Sequence, residues 1–203
     1  MIIDAHTHMF HSKYLKQIVE IGGDWAEKKV NRILDGAQRK PHFIDVALRL
    51  EMLDRNGIEL QVVTPPLQLD SNLLPGDAAA KLAMARVVND SMARLMDESK
   101  GRLIAAGTVP LTGFEPDGRQ EMDRAIKALG LKAINLSSNI LGKALDLPEF
   151  EPFWAQAAEM GVPIYIHPVD PAGQTDRNYE AEYDLTHNFG WPFETILTLS
   201  RLV

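Results

Sequence analysis

The segment Asp4-Ala5-His6-Thr7-His8 carries the densest chemistry in the sequence. It continues the apolar start Met1-Ile2-Ile3, which reads as a β-strand. Side chains in a strand alternate between faces, so Asp4, His6 and His8 are expected on one side, with two imidazoles stacked at a strand end. A second strand-like run, Val162-Pro163-Ile164-Tyr165-Ile166-His167, ends in a third histidine and is halted by Pro168. Neutral imidazole is the commonest metal ligand, and three such nitrogens with an open position suit a catalytic Zn²⁺ or a similar ion. His6, His8 and His167 are therefore the candidate ligands. Asp4 is expected deeper on the same face, as a hydrogen-bond acceptor that orients a ligand.

The other histidines carry less. His11 is read as a solvated loop residue, with a place over the mouth of the site as the alternative. His42, between Pro41 and a helix start, is read as structural. His187 falls in a long loop after the fifth strand and is a weaker candidate for substrate contact.

Short apolar runs must position these groups. Residues 2–8, 59–64, 103–109, 131–137 and 162–167 read as five strands, and such runs fit parallel strands buried on both faces. Helical spacing predicts helices over 43–55, 77–99, 121–129 and 148–160, the first, third and fourth stopped by Gly57, Gly130 and Gly161. A last helix is expected to begin near Pro192 and to run to the end at Val203. Alternating βα units imply an α/β fold with a parallel sheet and right-handed crossovers. Residues 9–42 break the rhythm. They read as an insertion near the active-site mouth of a single domain, with helix around 13–20 and 24–35.

Bulk properties exclude several classes. The 203 residues are 45% hydrophobic, enough for a sizeable core. The net charge is −7 with no basic stripe, so nucleic acid is not an expected partner. No apolar run approaches the roughly 20 residues of a membrane span, and no signal peptide is visible. There are no cysteines, hence no disulfides or thiolate ligands. The cytoplasm is the default location.

The Asp4-x-His6-x-His8 pattern resembles the signature on the first strand of the amidohydrolase superfamily. Met52-Leu53-Asp54-Arg55-Asn56-Gly57-Ile58, Gln61-Val62-Val63-Thr64-Pro65-Pro66, Ile166-His167-Pro168 and Gly190-Trp191-Pro192-Phe193-Glu194-Thr195 are similar to its decarboxylase branch, which holds the aminocarboxymuconate-semialdehyde and γ-resorcylate decarboxylases. The resemblance implies a (β/α)₈ TIM barrel. It implies a metal-dependent decarboxylase, a carbon–carbon lyase acting on a small unsaturated or aromatic carboxylic acid. Two-metal members bridge their ions with a lysine or glutamate ending the fourth strand. Here that end reads Asn135-Leu136-Ser137-Ser138-Asn139, and Lys132 lies at the opposite end, so one ion is expected, zinc or alternatively manganese. Cations must hold an acidic substrate; Arg49 is the first candidate, with Arg39 and Arg177 behind it. Trp191 is expected either to stack on a flat substrate or to pack between helices. A homodimer is compatible with the branch.

An eight-unit barrel takes about 250 residues, so only about the first five βα units fit in this chain. The resemblance places a catalytic histidine on strand six and an aspartate on strand eight, both beyond Val203. The alternatives are a metal-dependent hydrolase of an ester, lactone or amide, or an inactive fragment of such an enzyme.

Overall fold

The computed structural model describes residues 1–169 and 185–203, apart from the side chain at 187. Five parallel strands form one sheet in sequence order: β1 (Ile3–His8), β2 (Leu60–Thr64), β3 (Leu103–Gly107), β4 (Ala133–Ser137) and β7 (Ile164–His167). A short antiparallel hairpin, β5 (Asn139–Ile140) and β6 (Lys143–Ala144), sits between the last two. β1 and β7 are the sheet edges, yet the Tyr165 hydroxyl on β7 donates to the Ala5 carbonyl on β1 at 3.2 Å. In a flat sheet these edges would lie roughly 19 Å apart, four spacings of about 4.8 Å. The sheet is therefore curled towards closure, as the wall of part of a barrel.

Helices cover the outside: α1 (Leu15–Arg39), α2 (Val46–Arg55), α3 (Ala78–Glu98), α4 (Arg119–Asp123), α5 (Glu151–Met160) and α6 (Trp191–Leu202). Local chemistry sets their ends. The Asp45 carboxylate accepts from Leu48 N at 3.0 Å and the Asp77 carboxylate from Ala80 N at 2.9 Å, each satisfying a donor that a helix start leaves orphaned. Asp45 also explains why α2 begins at Val46 rather than Phe43; Phe43 lies in a separate 3₁₀ turn. Residues 124–128, expected to continue α4, form wider π-type turns. The 9–42 segment folds as α1, broken at Gly23 (φ 52°, ψ −142°) between the two helical stretches expected there.

Two cores result. Leu53, Val63, Met84, Val88, Leu95 and Leu103 bury the first half of the sheet under α1–α3. Val109, Met122, Ile134, Leu136 and Phe153 do the same beneath the later helices. Asn89 on α3 fastens the end of β3. Its Nδ2 donates to the Thr108 carbonyl at 2.9 Å and to Glu121 Oε1 at 2.7 Å, and its Oδ1 accepts from Thr108 N at 2.8 Å. Gly107 makes the approach feasible, because a Cβ there would lie 2.6 Å from Asn89 Oδ1 and 2.7 Å from Leu131 Cδ1. Replacing Asn89 by Ala strands buried partners on both sides. The expected cost is about 2–3 kcal/mol, read as a lower urea midpoint with an unchanged m-value.

Candidate active site

All five strands run the same way, so their C-terminal ends share one rim of the sheet. His8 ends β1 and His167 ends β7, and the curl brings them together. The His8 and His167 ring centres lie 5.1 Å apart, His6 and His8 5.0 Å, and His6 and His167 6.1 Å. Imidazoles bound to one ion through nitrogens about 2.1 Å away have ring centres roughly 5 Å apart. Two sides of the triangle match that spacing and the His6–His167 side is wider. Among the described residues no group of three such side chains is already drawn to ion-holding distance.

Two of the rings are held in a defined tautomer. His8 Nδ1 faces the Pro65 carbonyl at 3.2 Å and the Thr64 hydroxyl at 2.9 Å, while that hydroxyl donates to the Thr7 carbonyl at 3.3 Å. A carbonyl only accepts, so the proton sits on Nδ1 and the Nε2 lone pair is left available. His167 Nδ1 faces the Pro168 carbonyl at 2.7 Å, with the same result. Burial, reinforced by the neighbouring His167 and His6, lowers the His8 pKa to about 4, and burial also lowers that of His167. Both rings are neutral donors at neutral pH.

The expected single face for Asp4, His6 and His8 does not hold. Asp4 pairs with Gln61 and Thr7 with Val63, so β1 advances three residues while β2 advances two. One extra residue in β1 makes a bulge, which flips side-chain parity beyond it. Asp4, Thr7 and Gln61 share the face towards α2, whereas His8 pairs with Thr64 on the other. Asp4 accepts from Gln61 Nε2 at 2.7 Å rather than orienting a histidine ring.

Arg49 likewise lies behind the strand. It is 2% exposed, and its guanidinium donates to His42 O, His8 O, Gln61 Oε1 and Thr7 Oγ1. Its donors are directed at the protein and away from the cavity, unlike the substrate contact expected from the sequence. Arg39, second choice in the sequence, ends α1 and lines a cavity of about 280 Å³ with His8, Arg32 and Phe43. A neighbouring cavity of about 550 Å³ is lined by His8, His167, Trp191, Trp25, Lys29 and Arg32 among others. Among the described residues neither the Arg32 nor the Arg39 side chain forms an ion pair or hydrogen bond. Trp191 stands edge-on to His167, 5.4 Å between ring centres, on the cavity wall.

Arg177 and the His187 side chain lie outside the described residues. His11 is neither solvated nor over the mouth. It is 6% exposed, accepts from Lys13 N and meets Glu98 at 3.0 Å, a cap ahead of α1. Sequence reasoning missed Tyr165, which stacks on His6 at 6.2 Å; it is two residues before His167, and strand alternation was the available signal. It also missed Lys29 and Arg32. With Gly36 and Arg39 they recur every three or four positions, the spacing of one helix face.

A curled parallel sheet with polar groups gathered at its C-terminal rim is the arrangement in which barrel enzymes carry their sites. The amidohydrolase family pattern matches residues 3–196, and the chain belongs to that family. It is 30% identical to 2-amino-3-carboxymuconate-6-semialdehyde decarboxylase of Dictyostelium discoideum over 99% of this chain and 57% of that protein. It is 28% identical to a γ-resorcylate decarboxylase of Rhizobium radiobacter over 79% of this chain and 47% of that protein. The chain thus spans about half the length of these relatives. Among solved structures, 5-carboxyvanillate decarboxylase of Sphingomonas paucimobilis superposes with a TM-score of 0.80 at 21% identity, covering 99% of this chain and 62% of the other. A dihydroxybenzoic acid decarboxylase of a Polaromonas species, solved with bound manganese and 2-nitroresorcinol, gives 0.76 at 20% identity, over 99% and 59%. The fold is that of the first five βα units of a (β/α)₈ barrel, as expected from the sequence. Among the described residues no helix is long and apolar enough to cross a membrane.

The burial of His8 has a direct readout. In metal-free protein its ring should titrate by NMR with a midpoint near pH 4, against 6.5 for an open imidazole. Across that window the unfolded chain binds more protons than the folded one, so stability falls as the pH is lowered through it.

Proposed function

We propose that this chain forms the N-terminal part of a metal-dependent decarboxylase for small aromatic or unsaturated carboxylic acids, with His6, His8 and His167 holding one divalent ion. The observation that carries the proposal is the convergence of three imidazoles from β1 and β7, two of them neutral with Nε2 free. Three imidazoles suit zinc, with manganese as the alternative that the bound ion of a structural neighbour supports. His6 is exposed and can turn to close the wider side of the triangle. The decarboxylase names of the relatives, and the manganese in one structural neighbour, support the same reading.

When bound, the ion supplies a Lewis acid that gathers substrate oxygens and their negative charge. The chain's own residues do the rest. Arg32 and Arg39, two exposed cations on the wall beside His8, pair with the acid's carboxylate. Trp191 and Trp25 provide flat apolar walls for a ring and displace water from it. The 9–42 segment contributes the cationic wall through α1. In decarboxylation the C–C bond electrons stay on the substrate carbon, carbon dioxide leaves, and that carbon takes up a proton. The donor of that proton belongs to the sixth-strand histidine implied by the family resemblance. A cytoplasmic homodimer is part of the same proposal, and light scattering reads its mass.

Metal analysis after dialysis should find one ion per chain, and His167→Ala should lose it. Metal-loaded protein offered dihydroxybenzoates, 5-carboxyvanillate and aminocarboxymuconate semialdehyde should release carbon dioxide from one of them; hydrolysis of esters or lactones without that release would overturn the proposal. Arg32→Ala and Arg39→Ala should each raise KM about 10–100-fold, the worth of one charge-assisted hydrogen bond, with kcat changed far less.

A further inference from the structure

We infer that Arg49 is a positioning residue: it locks the bulge in β1 and thereby aims His6 and His8 into the cavity. The inference rests on the proposed metal site and deepens it. The bulge lies between Asp4 and Thr7, and the Arg49 network spans it from behind. Nη1 donates to Thr7 Oγ1 at 3.4 Å and to Gln61 Oε1 at 3.3 Å, and Gln61 in turn donates to Asp4 at 2.7 Å. One guanidinium is thus tied to both sides of the irregularity and to the neighbouring strand. Nη2 continues to the His8 carbonyl at 3.0 Å, fixing the backbone of a candidate ligand from the face opposite its ring.

The reason such a lock is needed is parity. A bulged strand can recover regular pairing by slipping one residue, and a slip of one residue sends every following side chain to the other face. Without the bulge His8 would turn towards α2 and the core. Arg49 opposes that slip with a fork of fixed geometry, which lysine's single ammonium does not reproduce. Nε donates to the His42 carbonyl at 2.8 Å, and the Phe10 N–H meets the Phe43 carbonyl at 3.1 Å. The same residue therefore also ties the strand end to the segment that carries Arg39 and Phe43 on the cavity wall. Burial makes the arrangement expensive to build. The guanidinium pKa falls to about 10, with Asp4 opposing the fall, so the charge is retained at neutral pH.

The test compares Arg49→Lys and Arg49→Met with Met122→Ala, a buried change in the second core that matches them as a stability control. In metal-free protein, ¹⁵N spectra of the His8 ring report its tautomer. The wild type and Met122→Ala should show one Nδ1–H form; the Arg49 variants should show a mixture, because the ring leaves the Pro65 carbonyl. In the second measurement Co²⁺ is titrated in, and both Arg49 variants should bind about tenfold or more weakly with a changed visible spectrum, while Met122→Ala should not. An Arg49 variant that loses thermal stability yet keeps the single tautomer and wild-type Co²⁺ affinity overturns the inference. Failure of the wild type to bind Co²⁺ overturns the metal reading instead, and the tautomer result still decides the role of Arg49. If either variant fails to fold, the other supplies the measurement; if neither folds, Arg49 is required for the fold as a whole and the specific aiming role is rejected.

Discussion

Tyr165 reaches across from the last strand to the Ala5 carbonyl of the first, over a gap that no described strand fills. The curvature behind that contact is the constraint on which the site depends. Parallel strands deliver all their C-terminal ends to one rim, but only a curled sheet brings the ends of its two outer strands within one ring's width. The twist inherent to L-residues starts the curl. The helices maintain it by packing large side chains such as Leu53, Met84 and Phe153 against the convex face. His8 and His167, 159 positions apart in sequence, become neighbours through that geometry.

The two faces of β1 divide the labour. The inner one presents His6 and His8, and the Pro65 carbonyl holds Nδ1 of His8, so that ring arrives neutral and in one tautomer. The outer one buries a polar network of Asp4, Gln61, Thr7 and Arg49, each member engaged by another. A buried charge is tolerated only when its hydrogen bonds are made. Here the Arg49 guanidinium also makes contact with the Phe43 ring, 5.5 Å from its centre. Such a network is costly to assemble but has a single low-energy arrangement, which favours precision at the strand end over raw stability.

Much of this was legible in the sequence. The five strands fell where short apolar runs predicted them, and the glycine stops held. The three histidines announced themselves by type and position. What failed did so for physical reasons. Strict alternation put Asp4 beside the histidines, but a bulge is a register event between two strands and leaves no mark in one strand's own residues. Arg49 was named from the family resemblance, which points to an arginine in this helix region without saying what its side chain meets. Gln61, Asp4 and the strand-end carbonyls that absorb its donors are distant in sequence. Lys29 and Arg32 were obscured in the opposite way, on a segment whose irregular rhythm hid a helix face turned to the cavity.

The break in α1 at Gly23 gives the stretch beyond it a second duty. The stretch before it buries Leu15 and Ile18 in the core. The stretch after it buries Ala26 and Val30 in the same core and also carries Lys29, Arg32 and Arg39 along the cavity. A positive φ uncouples the direction of one rod from that of the other. The cavity side of the second rod is thereby set apart from its core side, so a change at Arg32 or Arg39 leaves Ala26 and Val30 packed beneath it.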